Sequence, residues 1–247
     1  MRKLSAHYFV ADAHLGAGTD ATEEKFLCFL ENIRGRAESL YVLGDLFDFW
    51  FEYRRVVSKH CVRAIAELTR LRRAGTRVLY LRGNHDFRFG EMARRELEVS
   101  ATDSLEQEVG GLRVWMSHGD ALDRRAVPVL FRTFSRSRTV NWLYSLLHPD
   151  LGMGLATWVS RQSRQREPDE RLREVMADFA RVKLSQGFDV VILAHSHLPE
   201  LRRFDTGTYL NVGDWLRSFS YGVIRNGTAA LEYFDVASAA VRGRTGT

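Results

Sequence analysis

Cysteine is scarce in this chain of 247 residues: there are two, Cys28 and Cys61, each on an apolar-periodic stretch. They read as small buried hydrophobes of a reducing cytosol, not as a disulfide or as metal ligands. Long apolar runs are missing as well. No stretch of eighteen apolar residues occurs, and the opening MRKLSAHYFVADAHLG has no signal-peptide core. A membrane-spanning helix is thereby excluded, and the expectation is a soluble, cytoplasmic protein, still able to touch a membrane surface. There is no internal repeat and no linker that would split the chain, so a single domain is expected. Neither charge sign dominates: 36 basic against 31 acidic side chains leave +5, with a sequence pI near 9.4. That balance mildly favours an anionic partner without separating nucleic acid, phospholipid and nucleotide. With 45% hydrophobic and 27% charged residues, the composition is that of an ordinary soluble globular chain.

What is present concentrates at the ends of apolar runs. Val78 to Leu81 stops at Arg82-Gly83, as a buried strand ends in a tight turn, and Asn84, His85 and Asp86 follow at once. The arrangement recurs. Phe9-Val10-Ala11 runs into Asp12 and His14, Leu40 to Leu43 into Gly44-Asp45, Val114 to Met116 into His118-Gly119-Asp120, and Val190 to Ala194 into His195 and His197. A lone His-x-His or strand-Gly-Asp is commonplace, but five such strand ends in one chain are not.

The intervening segments supply helices. Thr22 is expected to cap a helix carrying Phe26, Leu27, Leu30 and Ile33 on one face, and a second helix is expected over Val57 to Arg73, closed by Gly75. The order strand, helix, strand, helix, strand predicts an α/β fold with an at least partly parallel sheet. Gly110-Gly111 predicts a hairpin turn, and Thr208 to Val212 and Ala229 to Phe234 read as closing antiparallel strands. Residues 124–166 leave this pattern: Val140, Leu143, Tyr144 and Leu147 keep helical spacing, Pro149 interrupts, and Leu151, Leu155, Trp158 and Val159 resume it. We read this stretch as a helical insertion over the site. Between Leu130 and Arg166 it carries six arginines against one acid, Asp150.

The chemistry follows from the donors. Asp12 and His14, two apart, point the same way on an extended chain, as do His195 and His197. Asp45, Asn84 and His118 each follow a separate strand, and in a parallel-type sheet the carboxyl ends share one edge where ligands gather. Seven groups therefore converge: Asp12, His14, Asp45, Asn84, His118, His195 and His197. A mixed oxygen and nitrogen set without thiolate suits Mn²⁺, Fe or Zn rather than Ca²⁺ or a structural zinc. Seven ligands exceed the needs of one ion and suit two, roughly 3.5–4 Å apart, which points to phosphoester or pyrophosphate hydrolysis.

As an ordered set, DAH (12–14), GD (44–45), GNHD (83–86), HGD (118–120) and HSH (195–197) resemble the calcineurin-like metallophosphoesterase superfamily, over essentially the whole chain. The resemblance implies a four-layer αββα sandwich with a two-metal centre. One ion would take Asp12, His14, Asp45 and His197, and the other Asp45, Asn84, His118 and His195. His85 would bond the substrate phosphate or protonate the leaving group, with Asp86 steadying it.

The segment GDLFDFWFEY (44–53), the arginine-rich insertion with LHPDLGMGLA (147–156), and SRQSR (160–164) are further similar to the UDP-2,3-diacylglucosamine pyrophosphohydrolase family of lipid A synthesis, especially its divergent second type. That family releases UMP and lipid X and typically uses Mn²⁺. The resemblance implies two Mn²⁺ ions, a UDP-diacylglucosamine glycolipid nucleotide as substrate, and peripheral contact with the cytoplasmic face of the inner membrane. Arg82, Asp123, Ser160, Arg161 and Arg164 are the expected substrate contacts. Two features depart from the better-known type, which has arginine at the position of His85 and a glycine-rich acidic loop where this chain has ALDRRAVPVLF.

Competing readings are a general or nucleic-acid phosphodiesterase and a scaffold that lost its metals. Against the first, the leucine- and tryptophan-rich insertion suits an acyl chain better than stacked bases, and no long basic groove is apparent, so no nucleic acid is expected. A Ser/Thr protein phosphatase is disfavoured because the GD motif continues as LFDFW, and the scaffold because every ligand type is present.

Overall fold

The run AHYFV, Ala6–Val10 (β1), is buried at every position, so it has no polar-out face and must be covered on both sides. The same holds for most of Ala37–Leu43 (β2), for Arg77–Leu81 (β4) after its first residue, and for Val190–Leu193 (β9). In the computed structural model, which describes residues 6–99, 103–164 and 169–236 and the backbone alone at 98, 99, 127, 131 and 161–164, these strands lie inside a sandwich of two sheets.

Between β1 and β2 runs helix α1 (Asp20–Ile33). The ribbon strand β3 (Trp50–Phe51) and helix α2 (Val62–Arg73) precede β4. Strand β5 (Asp86–Arg88), helix α3 (Glu91–Glu96) and strand β6 (Glu98–Val99) follow it. The hairpin β7 (Ser104–Val109) and β8 (Leu112–Ser117) turns at Gly110-Gly111, both at positive φ. Helices α4 (Ala126–Arg136), α5 (Arg138–Tyr144), α6 (Pro149–Arg164) and α7 (Glu170–Ser185) come next. Strands β9, β10 (Glu200–Phe204), β11 (Gly207–Asn211), β12 (Ser220–Arg225) and β13 (Thr228–Tyr233) complete the order.

One sheet runs β13-β12-β1-β2-β4-β6 and the other β10-β11-β9-β8-β7, with β3 and β5 forming a small parallel ribbon. β1, β2, β4 and β6 pair in parallel, as do β8, β9 and β11; the flanking strands are antiparallel. β11 is thus parallel to β9 and antiparallel only to β10, where closing antiparallel pairing was expected.

Alternation along the strands divides the core into layers. Phe9, Tyr41, Leu79 and Leu81 meet Val114, Met116, Val190 and Ile192 between the sheets, with Phe9 stacked on Tyr41 at 4.8 Å. Their neighbours Tyr8, Val10, Leu40, Val42 and Val78 face outward against Phe26, Phe29 and Leu30 of α1 and Leu68 of α2. On the other side Trp115, Val191 and Leu193 pack under Leu172, Met176 and Ala180 of α7. Helix, sheet, sheet, helix is the four-layer αββα order expected. Both cysteines are free thiols, Cys61 buried and Cys28 half-buried.

Helix α1 begins earlier than its apolar face suggested. Thr19, in extended conformation, is the N-cap and accepts from the Thr22 amide, with Asp20 and Glu23 in the first turn. The second helix is likewise split, a 3₁₀ turn over Lys59–Cys61 preceding α2. Among the described residues no helix is long and apolar enough to cross a membrane.

Helices α4 to α6 fill residues 126–164. One face of α6, Gly152, Ala156 and Ser160 at a spacing of four, is buried. Ala156 packs with Phe49, Phe51 and Phe87, and Tyr53, Tyr144 and Met153 close round this aromatic platform. Gly152 is required there: a Cβ would lie 2.0 Å from the Tyr53 hydroxyl oxygen.

Candidate metal centre

Five strands end at one edge of the sandwich. β1, β2 and β4, adjacent in one sheet, deliver Asp12, Asp45 and Asn84. β8 and β9, adjacent in the other, deliver His118 and His195. The sheets are joined across this edge by His118, whose Nδ1–H donates to the Leu43 carbonyl at 2.7 Å. His195 does the same through its backbone, its N–H reaching Asp12 Oδ2 at 2.9 Å.

The backbone here is held in a region that L-residues avoid. Asp12, His14, Asp45, His195 and His197 have φ of 50°, 42°, 52°, 67° and 59°. Left-handed conformations at non-glycine residues carry strain that the surroundings must over-determine, and such residues cluster at functional sites. The over-determination is visible. The Asp12 and His14 amides donate to the carbonyls of Gly44 and Asp45, and Trp215 N–H donates to the Asp12 carbonyl. The loops must also approach closely: a Cβ on Gly83 would sit 2.2 Å from Asp45 Oδ1, and one on Gly44 2.6 Å from Gly83 Cα.

Each imidazole has one nitrogen turned to an acceptor and the other to the centre. His195 Nε2 lies 3.3 Å from Asp123 Oδ2, His197 Nδ1 3.7 Å from Asp214 Oδ2, and His14 Nδ1 3.9 Å from Asp48 Oδ1. The inward nitrogens then meet other lone pairs. Around His118 Nε2 stand Asn84 Oδ1 at 3.1 Å, His195 Nδ1 at 3.2 Å and Asp45 Oδ2 at 3.4 Å. Asp12 Oδ1, buried with no hydrogen-bond partner among the described residues, faces His197 Nε2 at 3.5 Å and His14 Nε2 at 3.8 Å. Lone pairs converging in a buried site repel one another unless positive charge lies between them.

The electrostatics of the site express the same demand. Burial would raise the Asp45 carboxyl, yet His118, His85 and His14 hold it well below the usual carboxylate range. Burial would depress His118, yet Asp45 and Asp12 raise it to about 10. Among the described residues three His/Asp groups have donor atoms close enough to share an ion: Asp12, His14 and His197; Asp12, Asp45 and His118; and His14, Asp48 and His85. The donor set fits divalent metal ions of borderline softness.

The remaining expected residues fall differently. His85 is buried, its Nδ1–H donating to the Asp48 carbonyl at 2.7 Å and its Nε2 4.0 Å from Asp45 Oδ2; burial pulls its pKa down. Asp86, expected to steady His85, instead accepts from Gly83 N–H (2.8 Å), Asp45 N–H (3.1 Å) and the Tyr80 hydroxyl (2.9 Å). It fixes the turn that carries Asp45; burial and the nearby Asp45 push its carboxyl up to about 6. Ser160, expected at the substrate, is fully buried and donates to the Asp48 carboxylate. Asp123, also expected there, is turned to His195 and to the Arg125 guanidinium. Burial would raise its carboxyl, but these two partners hold it low.

Arg82 is half-buried, its guanidinium 5.6 Å from the Phe89 ring centre. The Arg161 and Arg164 side chains lie outside the described residues. Of the other insertion arginines, Arg136 is engaged with Asp103 and Asp120, and Arg132 with the Asp120 carbonyl, which fastens the insertion to the loop after β8.

Asp48 and Asp214 were not anticipated. Asp214 was within reach of sequence reasoning, since β11 runs into Val212-Gly213-Asp214, the pattern that singled out Asp45. Asp48 offered no signal beyond its place in GDLFD.

The family described as calcineurin-like phosphoesterase matches residues 8–199 of the chain. The chain is 30% identical over 258 aligned residues to the UDP-2,3-diacylglucosamine hydrolase of Porphyromonas gingivalis (strain ATCC BAA-308 / W83), covering 92% of this chain and 97% of that protein. It is 29% identical over 222 residues to the protein of the same description from Ralstonia nicotianae, covering 84% of this chain and 83% of that protein. With that of Neisseria meningitidis serogroup B it shares 29% over 220 residues, 86% of this chain and 91% of the other.

Proposed function

The chain belongs to the calcineurin-like phosphoesterase family and is a metal-binding hydrolase, and we propose that its substrate is UDP-2,3-diacylglucosamine, cleaved at the pyrophosphate to UMP and lipid X in lipid A biosynthesis. Two divalent ions, Mn²⁺ in this reading, would be held by Asp12, His14, Asp45 and His197 and by Asp45, Asn84, His118 and His195. When bound they lower the pKa of water and neutralise charge at phosphoryl oxygens.

The chain's own residues account for the rest. Asp45 sits where both ligand sets meet, its Oδ1 held by the His85 amide at 2.8 Å. His85, turned by the Asp48 carbonyl, offers its Nε2 edge on the same side and would contact the phosphate. The Asp45 and Asp12 side chains are almost wholly buried, whereas those of His195 and His197 are 11% and 32% exposed, so substrate approaches from the histidine side.

The lipid assignment is carried by one observation, the apolar face of the insertion. Leu143, Leu146, Leu151 and Trp158 are 54%, 66%, 69% and 63% exposed, with Leu155 completing an i, i+4, i+7 stripe on α6. These residues do not pack the insertion onto the domain; the aromatic platform does that from the opposite side. An exposed apolar patch of this kind marks a contact surface, here for acyl chains and for the membrane face from which they are drawn.

The test is UMP release from UDP-2,3-diacylglucosamine, with Mn²⁺ and with chelator, beside bis-p-nitrophenyl phosphate. Fast, Mn²⁺-dependent UMP release with little turnover of the simple diester is expected. Turnover of the simple diester alone would discard the lipid substrate and keep the hydrolase.

A further inference from the structure

We infer that Asp123 is a positioning residue for His195, and that Arg125 ties that role to both ends of the helical insertion. The inference rests on reading the strand-end cluster as a metal centre. His195 has its backbone fixed by its φ of 67° and by its N–H bond to Asp12 Oδ2. Neither constraint fixes the ring, and a neutral imidazole carries its proton on one nitrogen or the other. Asp123, which as a carboxylate can only accept, lies 3.3 Å from Nε2 and takes that N–H. The lone pair is thereby left on Nδ1, 3.2 Å from His118 Nε2, the nitrogen that Asn84 Oδ1 and Asp45 Oδ2 also face. Outer carboxylates commonly set the tautomer and orientation of metal-binding histidines in this way.

Asp123 is itself held on every side. Its side chain is 1% exposed. Arg125 Nε lies 2.9 and 3.1 Å from its two oxygens, Nη2 is 2.5 Å from Oδ2, and the Arg125 amide is 3.1 Å from Oδ1. A carboxylate so enclosed has no oxygen turned to a substrate hydroxyl. Arg125 stands immediately before α4, and its Nη1 lies 3.3 Å from Asp169 Oδ2. Asp169 caps α7 by accepting from the Arg171 and Leu172 amides. The connection His195–Asp123–Arg125–Asp169 therefore joins a candidate ligand to the residues that flank the insertion on either side.

The near-isosteric Asp123→Asn variant tests this, with Mn²⁺ alone as the probe in calorimetric titration of the full chain. Wild type is expected to bind two ions; in the variant one is expected to weaken by about 10–100-fold while the other stays within about threefold. Arg125→Gln should weaken the same ion by a smaller factor. A second readout is the long-range ¹H–¹⁵N spectrum of the histidine rings. His195, assigned by the loss of its signals in His195→Gln, should show the Nε2–H tautomer in wild type and lose it in Asp123→Asn. On any phosphodiester turned over, kcat should fall with KM within about threefold. Two Mn²⁺ bound with wild-type affinity by Asp123→Asn would overturn the inference and leave the metal centre standing. A raised KM with unchanged metal binding would likewise overturn it, giving Asp123 to the substrate. Wild type that binds no Mn²⁺ would overturn both this inference and the metal reading beneath it.

Discussion

The strand-end cluster and the helical insertion meet at Asp48 and Ser160, and they are held by opposite means. In the cluster the donors are set by the backbone and by outer contacts, with their inner lone pairs converging: glycines let loops touch, left-handed residues aim the donors, and carboxylates or carbonyls face the outer nitrogens of the imidazoles. In the insertion the large apolar side chains face outward. It is fastened by an aromatic platform, by Tyr144 on the Gly152 carbonyl, by Ser160 on Asp48, and by Arg136 on Asp120. Chemistry needs donors fixed to fractions of an ångström, which a rigid, over-determined edge supplies. Acyl-chain recognition, in the function proposed above, would need exposed apolar area, which the outward faces of these helices offer.

The sharpest separation of the two regions comes from Asp45→Ala. Its loss removes the carboxylate common to both proposed ligand sets and should reduce hydrolysis of every substrate by about a thousandfold or more, with an unchanged circular dichroism spectrum. Gly83→Ala should act on the same carboxylate by steric pressure alone, since its Cβ would come within 2.2 Å of Asp45 Oδ1. Activity should fall on the order of a hundredfold, as for other losses of ligand positioning, read as kcat on both substrates.

On the insertion side, Phe87→Ala hollows the platform and should cost about 3 kcal/mol. The corresponding drop in melting temperature is roughly 6–12 °C for a chain of this size. Turnover of the lipid nucleotide should suffer more than that of bis-p-nitrophenyl phosphate; equal losses on both would break the division of labour. The smallest effect on the fold is expected from Leu151, Leu155 and Trp158 all changed to Ser. As exposed positions they should alter stability by within about 0.5 kcal/mol each. KM for the diacylated substrate should nevertheless rise by about tenfold, and sedimentation with anionic liposomes at low salt should be lost.

Much of this is legible in the amino-acid sequence. Strand ends announce themselves because a buried strand is continuously apolar and an Asp or His directly after it is exceptional; parallel pairing then brings those ends together. Asp86 turns to Gly83, Asp45 and Tyr80, and Ser160 to Asp48, because adjacency in sequence does not say which way a tight turn directs a carboxylate, nor which face of α6 meets the core. Helical spacing foretold the helices of the insertion. It did not foretell that Leu151 and Trp158 would face outward, because spacing defines a stripe without naming what covers it. Asp214 repeats the strand-Gly-Asp pattern of Asp45 but contacts His197 only through the path of its loop after β11.

The most direct test is anomalous scattering at the manganese edge from crystals grown with Mn²⁺. Two peaks are predicted, one among Asp12, His14, Asp45 and His197 and one among Asp45, Asn84, His118 and His195. A single peak, or peaks away from these side chains, would contradict the two-ion centre on which the account depends.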